Sequence, residues 1–184
     1  EAVIEITDSA KVDEVTGSFY DANFVADIVY PYETNVAVPK VCFKADFQDE
    51  SLCDLQGNKQ VFSSGAPIVV KTVTQDTAGS KKIALLFEVQ NVGDGQSTHP
   101  GEEFDQRFNT FKFELENKDE LFDMECSSAG NKDKGRFNDG KATIRCTSKT
   151  EMNDDTLFTK QATMVLSYDY KTRIQKDLRI NTNP

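Results

Sequence analysis

The stretch Ile83-Ala84-Leu85-Leu86-Phe87-Glu88-Val89-Gln90 decides the fold class of this chain of 184 residues. All its odd-numbered positions are apolar, and the turn-forming residues Asn91-Val92-Gly93-Asp94-Gly95 follow it directly. An apolar period of two that ends at a turn is typical of a β-strand with one face in a core. We therefore predict a strand here and compare the rest of the chain with it.

The same period of two recurs in residues 111–116, 142–146 and 162–170, each with one apolar and one more polar face. No stretch combines an apolar stripe at helical spacing with a capping signal. We predict an all-β chain that folds as an antiparallel β-sandwich, immunoglobulin-like or jelly-roll-like, with little helix. The expected strands are residues 2–7, 17–20, 24–30, 36–43, 59–63, 68–74, 82–90, 107–116, 121–126, 142–146, 160–170 and 173–181, with a helical turn at most at 117–121.

A boundary is predicted at the small-residue stretch Ser63-Ser64-Gly65-Ala66-Pro67. It divides the chain into an N-terminal β region, residues 1–65, and an immunoglobulin-like sandwich, residues 66–184. A region of about 65 residues buries too little surface to be stable alone. Either it shares sheets with the second region, or something outside the chain completes it.

Composition excludes several functional classes. The formal net charge is −10, and no basic cluster with interleaved aromatic residues is present, so we expect no nucleic-acid partner. The longest apolar runs are far shorter than the roughly 20 residues of a membrane-spanning helix, so no transmembrane segment is expected. One histidine, His99, leaves little material for a zinc site or a nucleophile–base pair. We predict that the chain is not an enzyme.

The four cysteines lack the C-x-x-C spacing of metal and redox motifs. We predict two local disulfides, Cys42 with Cys53 and Cys126 with Cys146, and therefore an oxidising compartment, extracellular or at the cell surface. The first residues show neither the basic nor the apolar region of a signal peptide. Any such peptide is expected to have been removed already.

Acidic side chains gather in three clusters that could supply hard oxygen ligands to Ca²⁺. The alternative is that each is simply a solvated acidic surface. The candidate ligands are Asp46, Asp49 and Glu50, then Glu102, Glu103 and Asp105, and finally Asp154 and Asp155.

Three further features each allow a binding and a structural interpretation. His99 is either a ligand or base, or a surface loop residue. Tyr30-Pro31-Tyr32 is either a platform for sugar rings or core packing. The long polar loops 94–106 and 127–140 are where a β-sandwich commonly binds a ligand.

Two stretches of the sequence carry a family resemblance, residues 65–70, Gly-Ala-Pro-Ile-Val-Val, and residues 87–95. They resemble archaeal secreted or surface β-domain proteins with CARDB-like modules, of the immunoglobulin-like, cell-adhesion type. The strand Ile144-Arg145-Cys146 and the end Leu166-Ser167-Tyr168-Asp169-Tyr170 extend the likeness over about residues 31–181. The resemblance implies an extracellular, non-enzymatic role and brings no catalytic residue with it.

The N-terminal stretch is an alternating, β-branched strand on a polar linker, residues 8–14. Such a strand can add to the sheet of a neighbouring molecule, or it can pair within its own domain. Its proposed assembly residues are Ala2, Val3, Ile4, Glu5 and Ile6. We therefore predict an extracellular structural protein that assembles with copies of itself into a filament, sheath or cell-surface layer, with possible help from Ca²⁺. The alternative is a monomeric adhesion or ligand-binding module.

Overall fold

The computed structural model describes residues 17–47, 53–105, 107–116 and 123–181. These residues form an all-β fold of antiparallel strands without a helix, as the sequence predicted. The strands are β1 Phe19–Lys44, β2 Gly57–Lys59, β3 Phe62–Ser63, β4 Ile68–Thr77, β5 Ile83–Asn91, β6 Gln96–Thr98, β7 Thr110–Leu115, β8 Met124–Ser127, β9 Lys134–Arg136, β10 Lys141–Ser148 and β11 Leu157–Asn181.

Residues 29–172 form one compact unit, a β-sandwich of two sheets. One sheet has the strand order β3-β1-β11-β7-β9, with β6 also paired to β11, and the other has the order β2-β4-β5-β10-β8. The predicted strand at residues 83–90 is β5, and it lies in the middle of the second sheet. The odd-numbered side chains of β5 from Ile83 to Val89 are at most 1% exposed, because this face of the strand packs inside the sandwich.

The core of the sandwich consists of side chains that alternate along the central strands. In the second sheet Phe87 lies opposite Ile144, and both side chains are fully buried. In the first sheet Leu166 lies opposite Phe113, at 0% and 2% exposure. These residues are the ones that the period of two assigned to the core.

The first and last long strands are less divided than predicted. The strands expected at 17–20, 24–30 and 36–43 fall in the single strand β1, which begins at Phe19, and those expected at 160–170 and 173–181 fall in β11. Pro31 and Pro39 both lie within β1, although proline cannot donate to a sheet ladder. Within the described residues β3 pairs with β1 only at Val36 and Ala37, so both prolines lie where that side of β1 has no neighbour to bond.

The division into compact units also differs from the boundary predicted at residues 63–67. The sandwich begins at residue 29, and a second unit combines residues 17–28 and 173–181 of the described chain. The cause is the pairing of β1 with β11, which joins the N-terminal region to the C-terminal strand. The first region therefore shares a sheet with the second. The helical turn suggested at residues 117–121 lies outside the described residues.

Both predicted disulfides are present. Cys42 bonds to Cys53, with the Cα atoms 5.7 Å apart. Cys126 of β8 bonds to Cys146 of β10, directly opposite in the ladder. The second bond cross-links two strands around the loop between them, as expected. Four paired cysteines suit an oxidising compartment.

Candidate functional site

The second compact unit contains a two-stranded antiparallel ribbon made by residues 19–28 of β1 and 173–181 of β11. The side-chain amide of Asn23 donates to Asp177 across the two strands over 2.6 Å. Odd-numbered side chains of both strands therefore share one face of the ribbon, and even-numbered side chains share the other.

The odd-numbered face is polar and carries two bidentate ion pairs. Arg173 donates from Nε and Nη2 to the two carboxylate oxygens of Asp27, over 2.7 and 2.9 Å. Arg179 makes the same two bonds to Asp21 and also lies over the ring of Phe19, 4.2 Å from its centroid. The hydrogen bond from Arg179 holds the pKa of Asp21 below its usual value. These pairs fix which residues of the two strands stand opposite each other.

The even-numbered face is almost entirely apolar. Lys176 is its only charged residue among those described. The largest side chains on it are about half exposed: Tyr20 at 54%, Ile174 at 52%, Leu178 at 51% and Phe24 at 45%. The apolar residues of this face are Tyr20, Ala22, Phe24, Ala26, Ile28, Ile174, Leu178 and Ile180.

We call this surface the apolar ribbon face. A contiguous apolar surface of this kind commonly marks an interaction site. A two-stranded ribbon is marginally stable in water by itself and is stabilised by further strands or by packing on its apolar side. The apolar ribbon face is therefore the strongest candidate for a functional surface in the described part of the chain.

The sequence predicted strands in both halves of this ribbon, but it did not reveal that their apolar side chains form the apolar ribbon face. The signal was available, since Tyr20, Ala22, Phe24, Ala26 and Ile28 alternate strictly. The predicted assembly strand, Ala2 to Ile6, lies outside the described residues.

The acidic clusters do not converge as a metal site within the described ranges, where no group of three possible ligand side chains comes together. Glu102 pairs with Lys134, and Asp154 pairs with Lys81. Asp105 accepts three hydrogen bonds from Arg107, which lower the pKa of that carboxyl to about 2. Basic partners therefore offset much of the negative charge that was expected to attract Ca²⁺. Asp49 and Glu50 lie outside the described residues.

Tyr30 and Tyr32 belong to an aromatic cluster with Tyr168 and Tyr170 inside the sandwich unit. Tyr32 stacks on Tyr168 at 5.8 Å between ring centroids, and Tyr30 lies 6.0 Å from Tyr170. Tyr168 and Tyr170 are 1% and 2% exposed. Tyr30 and Tyr32, themselves partly buried, pack against the core of the sandwich.

Tyr170 also fixes the turn after β5. The backbone N–H of Gly95 donates to the Tyr170 hydroxyl over 2.8 Å. A Cβ atom at Gly95 would lie 2.6 Å from the Tyr170 ring and 2.5 Å from the Lys171 carbonyl oxygen. Only glycine allows this approach, which explains why glycine occupies position 95 in the turn after β5.

The Tyr168 hydroxyl makes buried hydrogen bonds that link the two sheets. The Thr34 hydroxyl donates to the Ile68 carbonyl over 2.7 Å, so it accepts from Tyr168 over 3.0 Å. The Ile68 N–H in turn donates to the Tyr168 oxygen over 3.3 Å. Burial raises the pKa of Tyr168 above its usual value, so its hydroxyl stays protonated at neutral pH.

The Tyr168→Phe substitution is expected to lower the free energy of unfolding by about 1–2 kcal/mol, because it leaves the buried Ile68 N–H without an acceptor. Chemical denaturation followed by circular dichroism measures the change. Tyr32→Phe is the matched control, since the Tyr32 hydroxyl makes one exposed bond, to the Gly65 carbonyl. Equal losses in the two variants would contradict the role given to Tyr168.

The two polar loops meet in the sandwich unit. Lys134 pairs with Glu102, Arg136 lies 3.5 Å from the ring centroid of Phe108, and Lys171 lies 4.6 Å from that of Phe104. The ring of His99 is 3.8 Å from a Glu102 oxygen.

A groove of about 350 Å³ in the sandwich is lined by residues of β7 and β8. It is lined by Phe113, Leu115 and Met124 together with several lysines and acidic residues. Of these lysines, Lys132 pairs with Glu125 and Lys149 pairs with Asp123. Basic and acidic side chains of the groove therefore compensate part of each other's charge.

Comparison of the chain with models of known protein families, with curated proteins and with solved structures finds no match. The resemblance to CARDB-like modules therefore stays a prediction. Among the described residues no helix has the length and apolar composition that crossing a membrane requires.

Proposed function

We propose that the protein is a secreted, non-enzymatic structural subunit that assembles with copies of itself into a filament, sheath or cell-surface layer. The observation that carries this proposal is the apolar ribbon face, which is about half exposed on an element that is only marginally stable alone. Self-association would cover this face and stabilise the ribbon. The disulfides support the extracellular part of the proposal.

The size of the apolar ribbon face limits the free energy that it contributes to self-association. Covering the remaining half of four large apolar side chains stabilises a complex by about 1 kcal/mol each, or about 4 kcal/mol per ribbon. Association costs about 4–15 kcal/mol in lost freedom. The apolar ribbon face alone therefore offsets at most the lower end of that cost, and assembly requires additional bonds.

Sedimentation velocity over a wide range of protein concentrations, with negative-stain microscopy of the same samples, tests the proposal. We expect species larger than the monomer at high concentration, and ordered polymers in the micrographs. A chain that remains monomeric at every concentration would contradict it.

The alternative is a monomeric adhesion or ligand-binding module. One observation favours it: the loops predicted to bind, 94–106 and 127–140, are held together by the Glu102–Lys134 pair. Two aromatic rings with basic neighbours, Phe104 and Phe108, lie in or beside the first loop. A chain that stays monomeric and binds a surface ligand through these loops would support this alternative.

Calcium assistance stays a separate prediction for the acidic loops. If Ca²⁺ binds only the folded or assembled protein, the melting temperature rises with its concentration. Thermal unfolding in millimolar Ca²⁺ and in EDTA measures this effect, and Mg²⁺ at the same concentration controls for ionic screening. Identical melting curves would mean that the acidic clusters are a solvated surface that does not bind Ca²⁺.

A further inference from the structure

We infer that the outer edge of β11, residues 173–181, accepts residues 2–7 of a second copy as a third, antiparallel strand of the ribbon. This inference rests on the proposed self-assembly and names the segment that provides it. Within the described residues β7 and β6 pair with β11 only as far as Lys171. Beyond that point β1 is the only described strand beside β11, so one edge of β11 has no partner strand among the described residues.

The pattern of residues 2–7 matches both faces of the ribbon. Ala2, Ile4 and Ile6 alternate with Val3, Glu5 and Thr7. Added beside β11, the first set extends the apolar ribbon face next to Ile174 and Leu178, and the second set extends the polar face. A one-residue shift would place Glu5 on the apolar face, so the pattern also restricts the register.

Charge favours the β11 edge over the β1 edge, although Arg173 and Arg179 of β11 already pair with Asp27 and Asp21 of β1. Residues 1–7 contain two glutamates, Glu1 and Glu5, and no basic residue. Residues 173–181 contain three basic side chains, Arg173, Lys176 and Arg179, and one acidic side chain, Asp177. Residues 19–28 contain Asp21 and Asp27 and no basic residue. Opposite charges on neighbouring strands are favourable, and like charges directly opposite each other are unfavourable.

The connection between residue 7 and β1 favours a second copy as the donor. A strand that folds back antiparallel to β1 from Gly17 lies on the β1 edge, against Asp21 and Asp27. An antiparallel strand on the β11 edge places Thr7 beside Arg173. Gly17 lies towards the opposite end of the ribbon, roughly 26 Å away. The nine residues 8–16 span at most about 30 Å, and they would also have to cross the ribbon. A neighbouring molecule meets no such constraint.

A photo-crosslinker at position 5 of the full chain tests the pairing. Equal amounts of ¹⁴N-labelled and ¹⁵N-labelled protein are assembled, crosslinked and analysed by mass spectrometry. We expect mixed-isotope crosslinks between position 5 and residues 173–181. Crosslinks within one chain, or to residues 19–28, would overturn the inference.

Sedimentation of three variants supplies the second measurement. A chain that lacks residues 1–7 should keep the melting curve of the full chain but assemble at least about 100-fold more weakly. Ile6→Asp, on the apolar side of the donor strand, should weaken assembly about 100-fold, whereas Thr7→Asp, its control on the polar side beside Arg173, should weaken it by no more than about threefold.

The outcomes separate this inference from the proposed function. If the full chain assembles and the shortened chain assembles equally well, the donor strand is wrong and self-assembly stands. A shortened chain that no longer folds would show that residues 1–7 pair within their own molecule, which also contradicts the inference. If the full chain never assembles, both are wrong.

Discussion

Leu178→Asp is expected to weaken self-association about 100-fold without unfolding the sandwich. The side chain is 51% exposed on the apolar ribbon face, and covering its remaining surface stabilises an interface by about 1 kcal/mol. An aspartate there would also have to lose water without gaining a partner, at a cost of about 2 kcal/mol. Together these changes correspond to two orders of magnitude in the association constant.

Sedimentation velocity measures that change, and Val25→Asp is its matched control. Val25 is 53% exposed, almost the same as Leu178, but it lies on the polar face between Asn23 and Asp27. The control adds the same charge to the same ribbon, so it should weaken assembly by no more than about threefold. Equal effects of the two substitutions would mean that the apolar ribbon face has no special role in assembly.

Phe87→Ala is expected to lower the free energy of unfolding by about 4 kcal/mol. Phe87 is fully buried in the middle of β5, opposite Val73 on one neighbouring strand and Ile144 on the other. Truncation leaves a cavity that two hydrogen-bonded neighbours cannot collapse to fill. For a domain of this size the melting temperature should fall by roughly 8–16 °C.

Phe62→Ala is the control for this prediction, because Phe62 is 55% exposed in the short strand β3. Its loss should lower the unfolding free energy by less than about 1 kcal/mol. Differential scanning calorimetry of both variants gives the comparison. A fall of only a few degrees for Phe87→Ala would show that β5 is not the centre of the core.

Phe87→Ala and Leu178→Asp test different compact units. Phe87 belongs to the sandwich, residues 29–172, whereas Leu178 belongs to the ribbon unit. We therefore expect Phe87→Ala to change the melting curve at every protein concentration. Leu178→Asp should change the concentration dependence of assembly instead.

Local sequence patterns determined the fold class, most of the strands and the residues of the core. A period of two states directly which side chains share a face, so Phe87, Ile144 and Leu166 could be assigned to the core from their spacing alone. The disulfides could be predicted from the sequence for a similar reason. Each joins cysteines close in sequence, separated by 11 and 20 residues.

The tertiary structure alone decided which strands pair, and with that the candidate site. Asn23 and Asp177 stand opposite each other although 154 residues separate them. Alternation gives a strand two faces but does not say which strand lies beside it, because sheet pairing joins segments of any sequence separation. The apolar residues at 20–28 could therefore be read as an ordinary buried face. Only the pairing of β1 with β11 places them in a two-stranded ribbon whose apolar side no other described strand covers.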